Sequence, residues 1–198
     1  MSSEVAVLLY PGCIFFEVAL AVETLAPKLL VSYYTPNGRP HQSSNGAVLH
    51  VGGSYEHLAG STKTTAVLVP GGDPKSILLP ENLARAALVS CANRGALVAG
   101  ICAGNLVIAS AGLLRGRRGT HNYTLEHASL EMVETVALYW EGMTFLRANI
   151  VKDGSVITAQ PWAYRQYSAA VAQHLGVFSE AEARDHESYP DRRSYGAD

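Results

Sequence analysis

The sequence predicts an α/β fold in which strands alternate with helices. Three observations carry this. Short apolar, β-branched runs are interleaved with longer segments of helical period. The first such run passes through a Pro-Gly turn directly into a helical segment, which is how a βαβ unit opens. Two later runs, Ala66 to Val69 and Ala96 to Ile101, are almost continuously apolar, as strands buried on both faces of a parallel sheet must be.

In chain order, Val5 to Tyr10 reads as a strand and Pro11-Gly12 as a turn. A helix follows over about Ile14 to Leu25, with Val18, Val22 and Leu25 on one face. Leu29 to Tyr34 reads as the second strand. Ala47 to Val51 reads as a short strand beyond the polar loop Asn37 to Asn45. The Ala66–Val69 strand ends in Pro70-Gly71-Gly72, and a helix is expected from about Glu81 to Asn93, closed by Gly95. The Ala96–Ile101 strand breaks at Gly100-Ile101-Cys102-Ala103-Gly104, after which Leu106 to Leu114 is helical in composition. Gly119 to Tyr123 looks strand-like. Asn149 to Thr158 is a hairpin by pattern, with Asp153-Gly154 at the turn, where positive φ is needed. Trp162 to Leu175 makes a last amphipathic helix. The expected organisation is one domain over residues 1–178 and a polar, partly mobile tail over 179–198.

At 198 residues, a single globular domain buries roughly 70% of the surface its unfolded chain exposes, so no covalent staples are required. The three cysteines, Cys13, Cys91 and Cys102, form no CxxC pair, which argues against a disulfide framework or a cysteine zinc site and leaves at least one free thiol. A net charge of −2 and a pI near 6.4, with no basic cluster larger than Arg115, Arg117 and Arg118, exclude an electrostatic footprint for nucleic acid. The first basic residue is Lys28, so the charged start of a secretory signal is missing, and no apolar run approaches the roughly 18 residues of a membrane span. The expectation is a cytoplasmic protein with no membrane or nucleic-acid partner.

Parallel strands wrapped by helices place ligands at the strands' carboxyl ends, and the chemistry-bearing residues fall there. Gly100-x-Cys102-x-Gly104 has the spacing of a nucleophile elbow, in which flanking glycines let the backbone turn sharply from strand to helix. Amides at the start of the following helix favour a thiolate and are expected to lower the cysteine below its ordinary value of about 8.5. Attack on a carbonyl needs N–H donors for the developing oxyanion. Gly71, Gly72 and Ala103 lie at the ends of the right strands to supply them. Glu17, one turn into the first helix, is either an exposed helix residue or a carboxyl facing Cys102, and Phe15 and Phe16 blur the choice of face. His121 is a candidate base, with His127 as the alternative. His121, His127, Glu126 and Glu131 match no metal-binding spacing, so neither metal nor cofactor is expected.

Together, Val69-Pro-Gly-Gly72, Ala99-Gly-Ile-Cys-Ala-Gly104, Gly112 to Thr120 and Lys152 to Thr158 make the chain, from about residue 4 to 176, resemble the ThiJ/PfpI superfamily, which includes the Parkinsonism-associated deglycase. The resemblance implies a flavodoxin-like three-layer sandwich related to class I glutamine amidotransferases, a homodimer, and an elbow cysteine acting as nucleophile or redox sensor. By motif position Cys102 takes the nucleophile's place, Glu17 that of the acidic helix residue, and Gly72 and Ala103 those of the oxyanion donors. One position departs: counted without gaps from the elbow, the family's frequent histidine falls on Asn122, one residue after His121. A one-residue slip in a strand turns a side chain to the other face.

Members resembling isonitrile hydratases tend to carry aspartate at the place of Glu17, a Gly-Pro after it, and threonine after the cysteine. Here those places hold Glu17, Leu20-Ala21 and Ala103, which looks more like the glyoxalase and deglycase side. The Gly112–Thr120 stretch is closer to hydratase-like members and to the amidase-like domains of some transcription regulators, but no helix-turn-helix segment is expected after residue 176. The function expected is that of a cofactor-independent cysteine enzyme acting on small reactive carbonyls. The alternatives are an oxidant-sensing or stress-binding protein and an isonitrile hydratase-like enzyme.

Overall fold

The structure, a computed structural model, describes residues 3–188. Its centre is a seven-stranded sheet built from β1 (Glu4–Leu8), β2 (Leu30–Thr35), β3 (Gly53–Ser54), β4 (Thr64–Val69), β5 (Leu97–Ile101), β8 (Ile150–Asp153) and β9 (Val156–Ala159), in the order β3-β2-β1-β4-β5-β9-β8. All neighbours are parallel except β8 and β9, which form the expected hairpin with Gly154 at φ +60°. Between β5 and β8, β6 (Arg118–Gly119) and β7 (Thr144–Phe145) pair as a separate two-stranded ribbon.

Helices cover both faces. On one face α1 (Phe16–Leu25) packs on α7 (Tyr164–His174). On the other, α2 (Tyr55–Gly60) packs on α4 (Arg85–Asn93), which adjoins α5 (Gly104–Ser110). The four-residue α3 (Lys75–Leu78) and α6 (Leu130–Val136), the latter continued by a 3-10 turn over Ala137–Trp140, lie outside these layers. Strands β1 and β5 are buried at every position, so the core is the sheet itself with the inward stripes of the helices, among them Val18, Val22 and Leu25. This is the flavodoxin-like arrangement that the alternating pattern and the resemblance predict.

Several elements differ from the reading of the sequence. Ala47 to Val51 is not a strand. The Ser43 hydroxyl donates to Asn45 Oδ1, which also accepts from the Ala47 amide, and this turn leaves only an isolated bridge between Gln42 and Val48. The edge strand is instead Gly53–Ser54. The helix expected from Glu81 starts at Arg85, because Asn82 uses its side chain to receive the Ala84 amide and to donate to the Val107 carbonyl. The helix after the elbow runs over Gly104–Ser110 rather than 106–114, stopped by Gly112 at φ +85°. From Ser179 the chain is not simply a tail: Ser179 and Glu182 form a capping box for α8 (Glu180–Glu187), which packs on α7. The last ten residues of the expected tail lie outside the described residues.

Candidate active site at the carboxyl edge of the sheet

Register brings the site together. Val69 of β4 lies opposite Gly100 of β5, so the Pro70-Gly71-Gly72 turn leaves the sheet beside Cys102. Ile101 in turn pairs with Ala159, whose carbonyl accepts the Cys102 amide at 3.0 Å. Cys102 has φ +55°, the only positive value at a non-glycine position among the described residues, and this is the strained conformation of an elbow. No side-chain cap serves α5, and Gly104, its first residue, lies so close to β4 that a Cβ there would sit on the Val69 carbonyl. The elbow spacing is thus required by backbone packing as well as by the turn.

The glycine turn is fixed from three sides. The Tyr10 hydroxyl, fully buried, is shared between the carbonyls of Pro70 at 2.9 Å and Gly71 at 2.7 Å. Ile14 donates its amide to the Gly71 carbonyl at 2.8 Å, and Cys13 and Gly72 form an isolated antiparallel bridge. The Gly71 amide donates to Glu17 Oε2 at 2.7 Å. Gly71 therefore does not offer its N–H to an oxyanion, as the sequence allowed; it positions the carboxyl. A Cβ at Gly71 would come within 2.5 Å of Glu17 Oε2 and 2.8 Å of the Cys102 sulfur, a measure of how closely the three converge.

Glu17 is 4% exposed while its neighbour Phe16 is 59% exposed, so helix α1 turns the carboxyl inward and the phenyl ring outward. Burial raises the Glu17 carboxyl to about 7, against the opposing pull of the Gly71 amide and the Cys102 thiol. Cys102 is only partly buried, but its thiol is pushed up to about 12, first by desolvation and then by the Glu17 carboxylate. The amides of Ala103 and Gly72 donate to the sulfur and pull the other way. The expected lowering of the thiol by helix amides is therefore outweighed, first by burial and then by the Glu17 charge. With the carboxyl at about 7 and the thiol at about 12, the thiol keeps its proton at neutral pH while Glu17 is divided between its neutral and ionised forms.

The structure brings Cys102, Glu17, Gly72 and Ala103 together and leaves His121 apart. His121, 7% exposed, stacks on Trp140 at 4.1 Å and lies 4.8 Å from Phe145, and its Nδ1 accepts the Tyr123 amide. Burial alone lowers it to about 4, so the ring is neutral. The segment is not a strand beyond Gly119, because Thr158 Oγ1 receives the Thr120 amide and Gln160 donates to Thr120 and the His121 carbonyl. His127 stands edge-on to Trp162 at 5.0 Å, and both histidines line a separate cleft of about 370 Å³ with Glu126 and Arg147. Asn122, at the counted place of the family histidine, has a buried Oδ1 with no hydrogen-bond partner among the described residues.

Tyr123 instead feels the charge of the site. Its phenol, raised to about 12 by burial, also responds to the charges of Cys102, Asp73 and Glu17. The sequence reading passed over Tyr123 and Tyr10, since neither belongs to a spaced motif. Cys13 and Cys91 are buried free thiols outside the elbow's turn. Among the described residues no group of three or more His, Cys, Asp and Glu side chains is arranged to hold a metal ion, and no helix is long and apolar enough to cross a membrane.

The family model described as the DJ-1/PfpI family matches residues 3–171. Among solved structures, a DJ-1 superfamily protein of Agrobacterium tumefaciens superposes with a TM-score of 0.79 at 22% identity, covering 94% of this chain and 97% of that one. DJ-1beta of Drosophila melanogaster gives 0.75 at 23% identity, with coverage of 96% and 97%. A C103A mutant of a DJ-1 superfamily protein of Salmonella typhimurium gives 0.74 at 21%, with coverage of 96% and 97%. No curated protein matches the chain.

Proposed function

The chain belongs to the DJ-1/PfpI family, and on that premise we propose that it is a cofactor-independent cysteine enzyme acting on small reactive carbonyls, of the glyoxalase or deglycase kind. The observation that carries the proposal is the buried Glu17 carboxyl hydrogen-bonded to the Cys102 thiol, with the Gly72 and Ala103 amides on the same sulfur. A cysteine on a strained elbow, a carboxyl able to move its proton and two fixed N–H donors are the parts an attack on an aldehyde needs.

With an α-oxoaldehyde such as methylglyoxal, the Cys102 sulfur bonds to the aldehyde carbon as the thiol proton passes to the Glu17 carboxylate. The carbonyl pair becomes an alkoxide, which the Gly72 and Ala103 amides hold until Glu17 returns the proton, giving a hemithioacetal. The hydrogen on that carbon then leaves as a proton to Glu17 and is returned to the neighbouring carbon through an enediol, leaving a thioester of the 2-hydroxy acid. Water cleaves the thioester and restores the thiol. The aldehyde carbon is oxidised, the ketone carbon is reduced, and water is the only co-reactant.

In this reading His121 is a packing residue that secures the Trp140 and Tyr123 side of the site. The catalytic unit is residues 1–178, working as a cytoplasmic homodimer. The test is conversion of methylglyoxal to lactate by the purified protein. Turnover that disappears in Cys102→Ser and falls in Glu17→Gln is expected; equal rates for wild type and Cys102→Ser overturn the reading.

The neutral form of Glu17, well populated at neutral pH because burial raises the carboxyl to about 7, favours a second reading, in which it donates to an oxidised sulfur. Peroxide then takes Cys102 to the sulfenic and, with a second equivalent, to the sulfinic acid, releasing one water each time. Mass spectrometry showing two added oxygens at Cys102, in a protein without carbonyl turnover, would select this alternative.

A further inference from the structure

The Gly72 end of the thiol site opens into a cleft of about 580 Å³. Its apolar lining comes from Leu78 and Leu79 after the Gly72 turn, Leu106 of α5, and Met132, Val136 and Tyr139 of α6 and the 3-10 turn that follows it. Tyr123 and Gly72 both line it, so the cleft begins at the residue whose amide reaches the Cys102 sulfur. Charged groups, Asp73, Lys75 and Glu131, also contribute to its lining.

Two features need an explanation. Leu79 is 62% exposed and Met132 38% exposed, facing the same cleft, although each would bury readily in a core of this kind. The volume is also out of proportion to the expected substrate: it falls in the range of about 300–1,000 Å³ that accommodates drug-sized ligands, and methylglyoxal fills a small part of it. A polar dicarbonyl gains nothing from leucine, methionine and valine walls, whereas an alkyl or aryl group loses its hydration there.

We propose that the cleft makes this protein selective for carbonyl compounds with an apolar tail, an aryl or medium-chain alkyl group, whose carbonyl head sits at Cys102 and whose tail lies between Leu79 and Met132. The proposal rests on the carbonyl reading of the Cys102 site and supplies its substrate class. Tyr123 lines the cleft and its phenol feels the charges of Cys102 and Glu17, and in this proposal it hydrogen-bonds the second oxygen of an arylglyoxal. Ser129 caps α6 by accepting the Met132 amide at 3.2 Å, which fixes the wall that carries Met132.

The experiment compares phenylglyoxal with methylglyoxal by kcat/KM, in wild type, Met132→Asp and Leu79→Asp. A preference for phenylglyoxal of at least about tenfold is expected from burial of the ring, falling at least about fivefold in either variant, because a carboxylate then faces the ring. Equal kcat/KM for the two aldehydes, or a preference untouched by both substitutions, overturns the proposal. If neither aldehyde is consumed, the carbonyl turnover reading fails on its own, and the cleft is judged by binding. Ligand-observed NMR with Cys102→Ala then compares acetophenone with acetone. Saturable binding of acetophenone alone, weakened by Met132→Asp, supports the apolar-tail site; no binding, or equal binding of both ketones, overturns it.

Discussion

The carboxyl of Glu17, delivered by the first helix, hydrogen-bonds the thiol of Cys102, delivered by the fifth strand of the chain, and the Gly71 amide holds the same carboxyl at 2.7 Å. Burial raises both groups, and the charge of Glu17 and its hydrogen bond to the thiol raise Cys102 further, so ionisation of one opposes ionisation of the other.

Alkylation of Cys102 by iodoacetamide should therefore show a step near pH 7, where Glu17 becomes able to take the thiol proton. In Glu17→Gln that step should vanish, leaving a single rise at higher pH set by the buried thiol itself. Rates measured from pH 5 to 10, with the site of modification read by mass spectrometry, check this. A wild-type profile without the step contradicts the linkage.

Stability should carry the same signature. The folded-state value of Glu17, about 7, lies above its ordinary 4.5, so the stability it contributes is complete below 4.5 and lost as pH rises through 7. Glu17→Gln does not lose it. Relative to wild type, the glutamine variant should gain about 2 kcal/mol between pH 5 and pH 8, in urea melts at each pH.

His121 behaves oppositely. Its value, about 4, lies below the ordinary 6.5, so its contribution is present above 6.5 and is lost as pH falls toward 4. His121→Phe keeps the stack on Trp140 without a titrating group and should spare the protein about 2–3 kcal/mol of acid destabilisation between pH 7 and pH 4. Cys102 alkylation should change less than about threefold in this variant, where loss of a working base costs about a hundredfold or more.

Two glycines separate folding from site geometry. Gly104→Ala puts a methyl against the Val69 carbonyl of the neighbouring strand and should destabilise the protein by about 3 kcal/mol, read by thermal or urea unfolding. Gly71→Ala instead drives a methyl toward Glu17 Oε2 and the Cys102 sulfur. It should abolish the pH 7 step in alkylation while costing less stability than Gly104→Ala.

Much of this was legible in the chain itself. The apolar runs Ala66–Val69 and Ala96–Ile101 determine parallel strands, because only strands covered on both faces are apolar throughout. Gly100-x-Cys102-x-Gly104 determines the elbow, because a tight strand-to-helix turn beside another strand tolerates no Cβ at Gly104. Asp153-Gly154 determines the hairpin through its positive φ.

What the sequence left open, contacts between distant segments decided. The turn at Phe15-Phe16-Glu17 has apolar residues beside a carboxyl, and helical period alone puts either kind inside. The Gly71 amide, 54 positions along the chain, provides the buried partner that lets Glu17 face inward and leaves Phe16 in solvent. The same kind of contact withdraws His121 from the thiol, through the Trp140 stack and the Thr158 and Gln160 hydrogen bonds that end the strand. The sequence by itself determined the central buried strands and the elbow that carries Cys102, since these depend on local backbone sterics and periodicity. Only the tertiary structure decided which carboxyl, which amides and which cleft surround that cysteine, because each is a hydrogen bond or an apolar contact made across the sheet edge by residues that local pattern does not connect.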